Sequence, residues 1–430
     1  MTNQEFLDKA KEKGISNIQV VEVTQNVGQI ELINKTLETY EVSNHISYQI
    51  KAEYNGKTVK ATSDYLDESI LDLLIMKATT TDSKYQDEYL QDTSNNNEIT
   101  DTFQIEMSKD LDTLKKLDDI RAQYKQISNL TLSYSEIYTK KHIFNSNGVN
   151  IETDSHIYEF VPEIVVPTKD GVNDYDRVYL KTSKDELNME YNLKKDIEMA
   201  IKQATKEKLQ TKKYNVIIDS TVMSTILSNM IKMISANNIR LKLSCLENKI
   251  GQKLFSDKIT IIEDPTDKKY PGMTKFDDEG TSTSRKEVIK DGVLKTYLYN
   301  IKEAKEQGKQ TTGNGYSGIS TKNMYIKPGE KSLNELFEKL KDGIYITDCM
   351  GSMETAINAN TGTISLQVFG FIIENGKIKC GFVPSVMTTT IYELLTQVED
   401  ISNEVIFTKE SAGSPCLFIN NISIASGDEE

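Results

Sequence analysis

The sequence predicts an α+β fold with two domains, each built from mixed helices and antiparallel, hairpin-rich sheets. Turn pairs separate stretches in which apolar and polar residues alternate, as they do in β-hairpins. These pairs are Asn55-Gly56, Asn147-Gly148, Asp291-Gly292 and Asn375-Gly376. Helical stretches lie between the hairpins without the regular strand and helix alternation of a parallel sheet. We therefore expect antiparallel sheets with helices packed against them.

The N-terminal domain is predicted to span residues 1–210. Thr2-Asn-Gln-Glu5 has the spacing of a capping box and begins a helix that ends at Gly14. Gly28 is predicted to separate two strands, and Ser183-Lys-Asp-Glu186 to cap a long charged helix that ends near residue 209. The other predicted elements are strands over 18–27, 29–41, 47–53 and 57–63, a helix over 66–78, a polar loop over 92–98, a helix over 107–124, and strands over 131–138, 142–144 and 149–160.

The C-terminal domain is predicted to span residues 211–430, after a change in composition at Thr211-Lys-Lys213. A strand over 214–219 ends in Asp219 or Ser220, either of which suits the N-cap of the next helix. One core-facing helix of about five turns is predicted over 222–239, because apolar residues recur there at a spacing of four. The other predicted elements are strands over 258–265, 285–290, 293–299, 344–347, 361–374, 377–383 and 416–424, and helices over 301–307, 332–342 and 390–398.

Composition limits the classes of partner and the compartment. The 430 residues carry a formal net charge of −14, which argues against a protein that binds nucleic acid through its phosphates. No apolar run approaches the ~18 residues of a membrane span, and the polar N-terminus does not resemble a signal peptide. Four widely separated cysteines are typical of reduced thiols. We therefore expect a cytoplasmic protein without a membrane or nucleic-acid partner.

The histidines and cysteines do not form a recognisable catalytic motif. His45, His142 and His156 all fall in the N-terminal half, and none belongs to an H-E-x-x-H sequence. They are predicted to be half-exposed strand residues. Cys349, in a turn after a strand, is the best candidate nucleophile, but a buried structural cysteine is the more common case. No G-x-S-x-G sequence is present.

Two further motifs resemble ligand-binding sites. Asp277, Asp278 and Glu279 precede Gly280 and could hold Ca²⁺ or Mg²⁺, but they lack the alternating spacing of an EF-hand loop. We expect a solvated turn before a hairpin. The segment around Gly313 lacks the lysine and the serine or threonine of a phosphate-binding loop. From the residues alone, no catalytic residue and no metal ligand are assigned.

The C-terminal half nevertheless contains an ordered set of short motifs over roughly residues 214–425. They are Lys249-Ile-Gly-Gln-Lys253, Ile261-Ile-Glu-Asp-Pro265, Phe276-Asp-Asp-Glu-Gly280, Lys290-Asp-Gly-Val-Leu294, Thr312-Gly-Asn314, Thr361-Gly-Thr-Ile-Ser365, Gly370, Ile373-Glu-Asn-Gly376 and Ser414-Pro415. In their order and spacing the chain resembles the TldD/PmbA family. These cytoplasmic proteins were first described as modulators of DNA gyrase and are now regarded as peptidases.

The resemblance also implies which type of subunit this chain is. TldD-type subunits carry H-E-x-x-x-H on the helix before the lysine-glycine segment, and a cysteine near the C-terminus completes their metal site. Counting back from Gly251 places that motif at Leu227-Ser-Asn-Met-Ile-Lys232, and the cysteine would fall within residues 408–413. Neither stretch contains the ligands, so Cys416 is not assigned the role. The chain thus resembles the PmbA or TldE type, which lacks the metal-binding motif.

PmbA-type subunits pair with a TldD-type partner, in which the zinc is expected, to form a heterodimeric metallopeptidase. The complex trims leader peptides and degrades unfolded or small proteins, which main-chain pairing with a strand could hold. The positions predicted to face the peptide chamber are Thr312, Gly313, Asn314, Thr361, Gly362 and Ser365. They could equally be ordinary turn residues. Two alternatives stay open: a homodimer that binds peptides without catalysis, and direct action on gyrase or DNA.

Overall fold

The computed structural model of the protein describes residues 1–82, 89, 103–169, 171–350 and 356–427. The predicted polar loop at 92–98 lies outside these ranges. The helices are Asn3–Glu12 (α1), Glu68–Thr80 (α2), Ser108–Asp118 (α3), Met189–Gln203 (α4), Ser220–Asn229 (α5), Ile231–Ile234 (α6), Ala236–Arg240 (α7), Ile301–Glu306 (α8), Leu333–Leu340 (α9) and Ile391–Thr396 (α10), with 3₁₀ turns at Asp119–Gln123 and Asp185–Leu187. Helices and antiparallel sheets are mixed along the chain, so the α+β prediction is confirmed.

The strands of the first half are long and antiparallel. They are Asn17–Ile33 (β1), Thr36–Tyr54 (β2), Lys57–Ser63 (β3), Asn129–Asn145 (β4), Asn150–Pro167 (β5), Val172–Asp176 (β6) and Tyr179–Lys181 (β7). They form one sheet in the order β3-β2-β1-β4-β5-β6, with β7 beside β5. α1 and α2 cover one face at the β3 end, where Phe6, Leu71 and Leu74 are fully buried. On the other face, Val21 and Ile143 pack with Phe276 of the second half.

The second half builds two further sheets. Its strands are Lys206–Glu207 (β8), Lys212–Ile218 (β9), Ile261–Glu263 (β10), Lys286–Lys290 (β11), Val293–Leu294 (β12), Met324–Ile326 (β13), Gly343–Met350 (β14), Thr363–Glu374 (β15), Lys377–Phe382 (β16), Ser385–Thr390 (β17), Val398–Ile401 (β18), Ile406–Phe407 (β19), Ala412–Ser414 (β20) and Leu417–Ala425 (β21). One sheet runs β12-β11-β10-β13-β20-β19, and the other runs β14-β9-β21-β17-β15-β16-β8, with β18 beside β21. α5 packs into the core of this half.

One hydrophobic cluster joins the two halves. Leu32, Tyr134 and Phe160 from the first sheet are buried with Phe371 and Phe418 from the second half. Burial of such side chains is the dominant favourable term in folding, so the halves stabilise each other directly. The proposed boundary between residues 210 and 211 stays a prediction.

Gly28 does not end a strand, contrary to the prediction. β1 runs through it without interruption, and the chain turns instead at Asn34 and Lys35, whose φ angles are 48° and 69°. Gly28 is required for a different reason: a Cβ there would lie 2.5 Å from Sδ of Met107, which crosses the strand. The predicted strands over 131–138 and 142–144 are likewise one strand, β4.

The predicted five-turn helix over 222–239 is also corrected, because it is broken into α5, α6 and α7. Its apolar positions are buried as expected, but Ser235 is extended, with φ −68° and ψ 124°. There the chain forms a parallel bridge to Leu298, and the N–H of Ala236 donates to the carbonyl of Leu298 at 2.9 Å. A competing main-chain partner therefore ends the helix where side-chain spacing predicts that it continues.

The capping box predicted at residues 183–186 does not begin a helix. That segment enters a 3₁₀ turn, and α4 begins only after Asn188, which has the left-handed φ of 43°. α4 ends at Gln203 rather than near 209, because the following residues pair with β16 as β8. Leu187 is fully buried, which explains why the turn is preferred to an exposed helical start.

The remaining composition predictions concern histidine, cysteine and membranes. His45, His142 and His156 lie on β2, β4 and β5, as expected. All four cysteines are free. None of the helices among the described residues is both long and apolar enough to cross a membrane.

Candidate functional site

The positions that correspond to the metal motif lie on α5 and α6. Leu227 is 1% exposed and packs in the core, whereas Ser228 and Lys232 are partly exposed. The hydroxyl of Ser228 donates to the carbonyl of Thr225 at 2.9 Å. Across the described ranges, no group of three or more His, Cys, Asp or Glu side chains is placed to hold a metal ion.

A polar groove of about 400 Å³ lies beside the break between α6 and α7, and we call it the motif groove. It is lined by Ile231, Lys232, Ser235, Asn237, Asn238, Asn300, Lys302, Glu303, Gly318 and Ile319. The break in the helix opens this groove, since the turn at Ser235 directs the chain toward Leu298 and α8. The groove therefore presents amides, ammonium groups and one carboxylate.

The polar groups of the motif groove are held by one another. Both carboxylate oxygens of Glu303 accept hydrogen bonds of 2.8 Å from the guanidinium of Arg240. This pairing lowers the pKa of Glu303. Asn300 caps α8 by accepting from the N–H of Glu303 at 2.9 Å, and the amide of Asn238 donates to the carbonyl of Lys232 at 2.8 Å. Such a surface is suited to binding a polar main chain, and a carboxylate with a lowered pKa is a poor proton donor.

The acidic turn at residues 277–279 is buried, not solvated as predicted. Asp277 is fully buried, and its carboxylate accepts from the N–H groups of Glu279, Thr281 and Gly315 at 3.0, 2.8 and 2.8 Å. Burial raises the pKa of Asp277 to about 8, and the charge of Glu279 adds to the shift. The three backbone donors account for the position of Asp277 in a loop core, where a turn lacking them would be solvated.

The neighbouring carboxylates tie this turn to other parts of the molecule. Asp278 forms an ion pair with Lys141 of β4, in the first half of the chain. Glu279 accepts from the N–H of Ile301 at 2.8 Å and so supports the start of α8. The sequence cluster that suggested a cation site is thus a structural junction.

Three predicted chamber residues, Thr312, Gly313 and Asn314, lie in one loop. Asn314 is fully buried, and its amide donates to Glu263 at 3.0 Å and to the carbonyl of Ser320 at 2.8 Å. Its carbonyl accepts from the hydroxyl of Thr312 at 2.8 Å. Asn314 is thus held by hydrogen bonds within the protein, and its place in a peptide chamber stays a prediction.

Gly313 is also constrained by its backbone angle and by a close neighbouring carbonyl. Its φ is +70°, and a Cβ would lie 2.8 Å from the carbonyl oxygen of Ser282. Glu263, which holds Asn314, is fully buried and forms an ion pair with Lys286. Burial raises the pKa of Glu263. The polar end of the buried strand Ile261-Ile-Glu263 is the sequence signal that could have identified this loop anchor.

The other three predicted chamber residues lie at the start of β15, in the eight-stranded sheet. Thr361 and Ser365 are exposed, and Ser365 pairs with Thr388 of β17. Gly362 is buried with φ +73°, and a Cβ there would meet Sγ of Cys245 at 3.3 Å. Only Thr361 and Ser365 of these three present side chains to solvent, and their role in a chamber stays a prediction.

A buried charge centre at the start of α5 escaped the sequence analysis. Asp219, predicted as a possible N-cap, caps α5 by accepting from the N–H of Thr221 at 2.9 Å. It also forms a buried ion pair with Arg177 and accepts from the hydroxyl of Tyr345. Burial opposes ionisation, but Arg177 keeps the pKa of Asp219 below its usual value. Nothing in the sequence around Arg177 pairs it with a residue 42 positions later.

Burial raises the thiol pKa of two cysteines, Cys416 and Cys349. Cys416 lies in the core, with Sγ 3.3 Å from the hydroxyl oxygen of Ser220, and burial raises the pKa of its thiol to about 12. Burial also raises the pKa of Cys349 to about 12. Because the thiolate is the nucleophile and the metal ligand, neither cysteine is prepared for either role near neutral pH.

Comparison with known proteins places this geometry in a family. Residues 211–426 match the family model of the PmbA/TldA metallopeptidase C-terminal domain, and residues 95–207 match that of its central domain. An uncharacterized protein of Methanocaldococcus jannaschii is 26% identical over 387 residues, which cover 87% of this chain and 89% of that protein. A relative from Buchnera aphidicola, named a metalloprotease PmbA homolog, is 28% identical over 65% of this chain and 62% of its own length.

Solved structures share the fold over nearly the whole chain. A Thermotoga maritima protein described as a candidate modulator of a DNA gyrase matches with a TM-score of 0.87 and 26% identity, covering 99% of this chain and 100% of its own. TldE from Thermococcus kodakarensis matches with a TM-score of 0.83 and 18% identity, covering 98% of this chain and 99% of its own. From the two domain matches, which together extend over residues 95–207 and 211–426, the chain belongs to the PmbA/TldD family.

Proposed function

We propose that the chain is the non-metal-binding subunit of a TldD/PmbA-type metallopeptidase complex. In this proposal a TldD-type partner holds the zinc, the complex works in the cytoplasm, and it cleaves unfolded peptides or matures leader peptides. One observation carries the proposal: Leu227, Ser228 and Lys232 stand at the positions of the two histidines and the glutamate. Leu227 is 1% exposed and belongs to the hydrophobic core, so its surroundings favour an apolar side chain.

The motif groove then acts as a wall that holds peptide rather than as a centre that activates water. Main-chain carbonyls of a substrate would accept from the ammonium of Lys232 and from amides such as Asn237, while its N–H groups would donate to amide oxygens. Glu303 is ion-paired with Arg240 and keeps the groove polar. These contacts do not depend on substrate sequence, as suits unfolded chains.

The outer edge of β2 offers a second place for an extended chain. Among the described residues no strand pairs with this edge over positions 36–47, because β3 covers only Tyr48 to Tyr54. Tyr40, Val42 and Ile46 are exposed there by 47%, 51% and 37%. Open edges with apolar side chains bind a further strand through main-chain hydrogen bonds. The edge supports strand addition by a substrate or by a partner subunit.

The proposal is tested by reconstitution. The chain is purified alone, a TldD-type subunit is purified alone, and both are mixed and assayed with an unstructured peptide of about 20 residues, long enough to extend beyond a β2-sized edge. We expect co-elution as a complex and chelator-sensitive cleavage that needs the TldD-type subunit. A variant of that subunit with its motif glutamate replaced by glutamine serves as the inactive control. Chelator-sensitive cleavage by this chain alone contradicts the proposal.

A homodimer that binds peptides without catalysis is the second candidate, and the open β2 edge favours it as well. Two copies could pair edge to edge in antiparallel orientation, as isologous dimers do. Sedimentation decides between the two: a stable homodimer that binds peptide and does not exchange with a TldD-type subunit supports this second candidate.

A further inference from the structure

A second pocket, of about 310 Å³, lies between the first sheet and the acidic turn, and we call it the junction pocket. Its floor crosses three neighbouring strands, since Gln19 of β1 is paired with Lys51 of β2, and Lys51 is paired with Lys60 of β3. Lys77 of α2 also lines it, and its ammonium donates to the carbonyl of Lys60 at 3.2 Å. One side of the pocket is therefore cationic.

The acidic turn forms another side of the junction pocket, where the carboxylate of Asp278 is also paired with Lys141. Asp278 and Glu279 line it and are held there by the acidic turn, which packs on the sheet through Phe276 against Val21 and neighbouring apolar residues. Lysine and carboxylate side chains from different elements thus line one space of ligand size. Pockets for small ligands begin at about 300 Å³, which suits a molecule of dipeptide size.

Two polar atoms lining this pocket lack hydrogen-bond partners among the described residues. Gln19 is 4% exposed; its amide donates to the carbonyl of Asp278 at 2.8 Å, but its Oε1 accepts no bond. The hydroxyl of Tyr316 is buried and is also unsatisfied. A buried polar atom that is left without a partner destabilises the folded chain. A ligand that supplies donors to this pocket would remove that destabilisation.

We propose that the junction pocket binds a short zwitterionic peptide. Its carboxylate lies toward Lys60 and Lys77, its ammonium lies toward Asp278 and Glu279, and its peptide N–H donates to Oε1 of Gln19. Neither cationic nor anionic ligands alone match both walls, whereas a free dipeptide carries the two charges at opposite ends. This inference concerns the isolated chain and does not depend on the proposed peptidase role.

The test is calorimetric titration of the full chain with Ala-Ala and with its two blocked forms, acetyl-Ala-Ala and Ala-Ala-amide. We expect Ala-Ala to bind and each blocked form to bind about tenfold more weakly, because a charged hydrogen bond is lost. Lys60→Gln is expected to weaken Ala-Ala binding by about fivefold and to leave Ala-Ala-amide binding unchanged, since the amide has no carboxylate to pair. Lys11→Gln, on the exposed face of α1, is the matched control and should change neither.

Three results overturn the inference. The first is no binding of Ala-Ala to the folded wild-type chain at millimolar concentration. The second is equal binding of Ala-Ala and both blocked forms, which would mean that the charged walls do not read the termini. The third is an equal effect of Lys60→Gln on Ala-Ala and on Ala-Ala-amide. Lys60 is exposed, so its substitution should not unfold the chain. Circular dichroism of each variant checks that it is folded.

Discussion

The motif groove and the junction pocket are cavities of comparable size that handle charge in opposite ways. In the motif groove the carboxylate of Glu303 is bound through both oxygens by Arg240. In the junction pocket, charges of opposite sign stand on separate walls, and Oε1 of Gln19 has no partner among the described residues. The groove's carboxylate is engaged by Arg240, whereas the pocket keeps two buried polar atoms, Oε1 of Gln19 and the Tyr316 hydroxyl, without a hydrogen-bond partner among the described residues.

This difference shows which polar groups in each cavity are already engaged within the protein. A carboxylate that is bound through both oxygens by a guanidinium has its lone pairs engaged and its pKa lowered, which makes it a weak proton donor and a weak general base. A pocket with separated charges can select a ligand by its two ends. Substitutions in the groove, in the pocket and at the open β2 edge test this distinction and the proposed function.

The largest effect is expected from placing a metal ligand beside the motif groove. Leu227→His removes a core side chain that is 1% exposed and buries an imidazole in its place. We expect the free energy of unfolding to fall by about 3 kcal/mol, as for other losses of core leucine. Urea unfolding measures the change, and Ser228→Glu at the partly exposed neighbouring position should cost far less. Unchanged stability together with bound zinc in Leu227→His would contradict this account of the groove.

Asp277→Asn tests the junction pocket, because the hydrogen bonds of Asp277 hold the acidic turn that lines it. At pH 5 we expect a loss of about 2 kcal/mol, since an amide places its own donors against backbone N–H groups. The pKa of Asp277 is about 8 in the folded chain, above its unfolded value. As pH rises from about 4 to 8, the unfolded wild type loses this proton while the folded wild type keeps it, so the free energy of unfolding falls. The asparagine of the variant does not titrate, so the difference in free energy of unfolding between wild type and Asp277→Asn should shrink over this pH range. Unfolding at several pH values tests the trend, and a deficit that grows with pH would contradict it.

Arg240→Met opens the ion pair of the motif groove. It leaves Glu303 buried without its guanidinium, and we expect a loss of about 1–2 kcal/mol at pH 7, discounted because Arg240 is partly exposed. The pairing lowers the pKa of Glu303, so its stabilisation is present above the unfolded pKa and is lost as pH falls through the folded one. The variant and wild type should therefore converge in acid. Adding Glu303→Gln should restore part of the loss at pH 7, and failure to do so would indicate that the pair is not the cause.

The smallest effect on stability is expected at the β2 edge, which belongs to neither cavity. Val42→Lys changes a side chain that is 51% exposed and should alter the free energy of unfolding by less than about 0.5 kcal/mol. It should nevertheless weaken pairing with a partner subunit or an extended peptide, because a lysine on an open edge opposes strand addition. Val172→Lys, on an exposed residue of β6, is the matched control. Equal complex formation by both variants would remove the edge from the proposed function.

The sequence predicts individual hairpins and helices better than the points at which distant segments interrupt them. The hairpin at Asn375 and Gly376 forms as predicted, with φ angles of 50° and 72° that suit a tight turn. By contrast, the helix over 222–239 breaks at Ser235 because Leu298, far along the chain, offers main-chain hydrogen bonds. Hydrophobic periodicity and capping motifs depend on residues close together in sequence, so they do not predict a partner as distant as Leu298.

The same limit applies to the site. Asp277, Asp278 and Glu279 look like a solvated turn because their partners, among them Gly315 and Lys141, are supplied by distant segments. The pairing of Arg177 with Asp219 is equally hidden, although the capping role of Asp219 is predictable from its local sequence. Family resemblance directs attention to α5, whereas burial and hydrogen bonding show that Asn314 is held inside its loop and that Thr361 is exposed.

The central claim is that this chain contributes binding surface while its partner contributes zinc, and metal analysis tests it most directly. Each subunit is purified alone, equilibrated with zinc, desalted and analysed for metal and for cleavage of an unstructured peptide. The account predicts stoichiometric zinc in the TldD-type subunit, none retained by this chain, and full activity only in the mixture. Stoichiometric zinc in this chain, with chelator-sensitive cleavage in the absence of the partner, would contradict it.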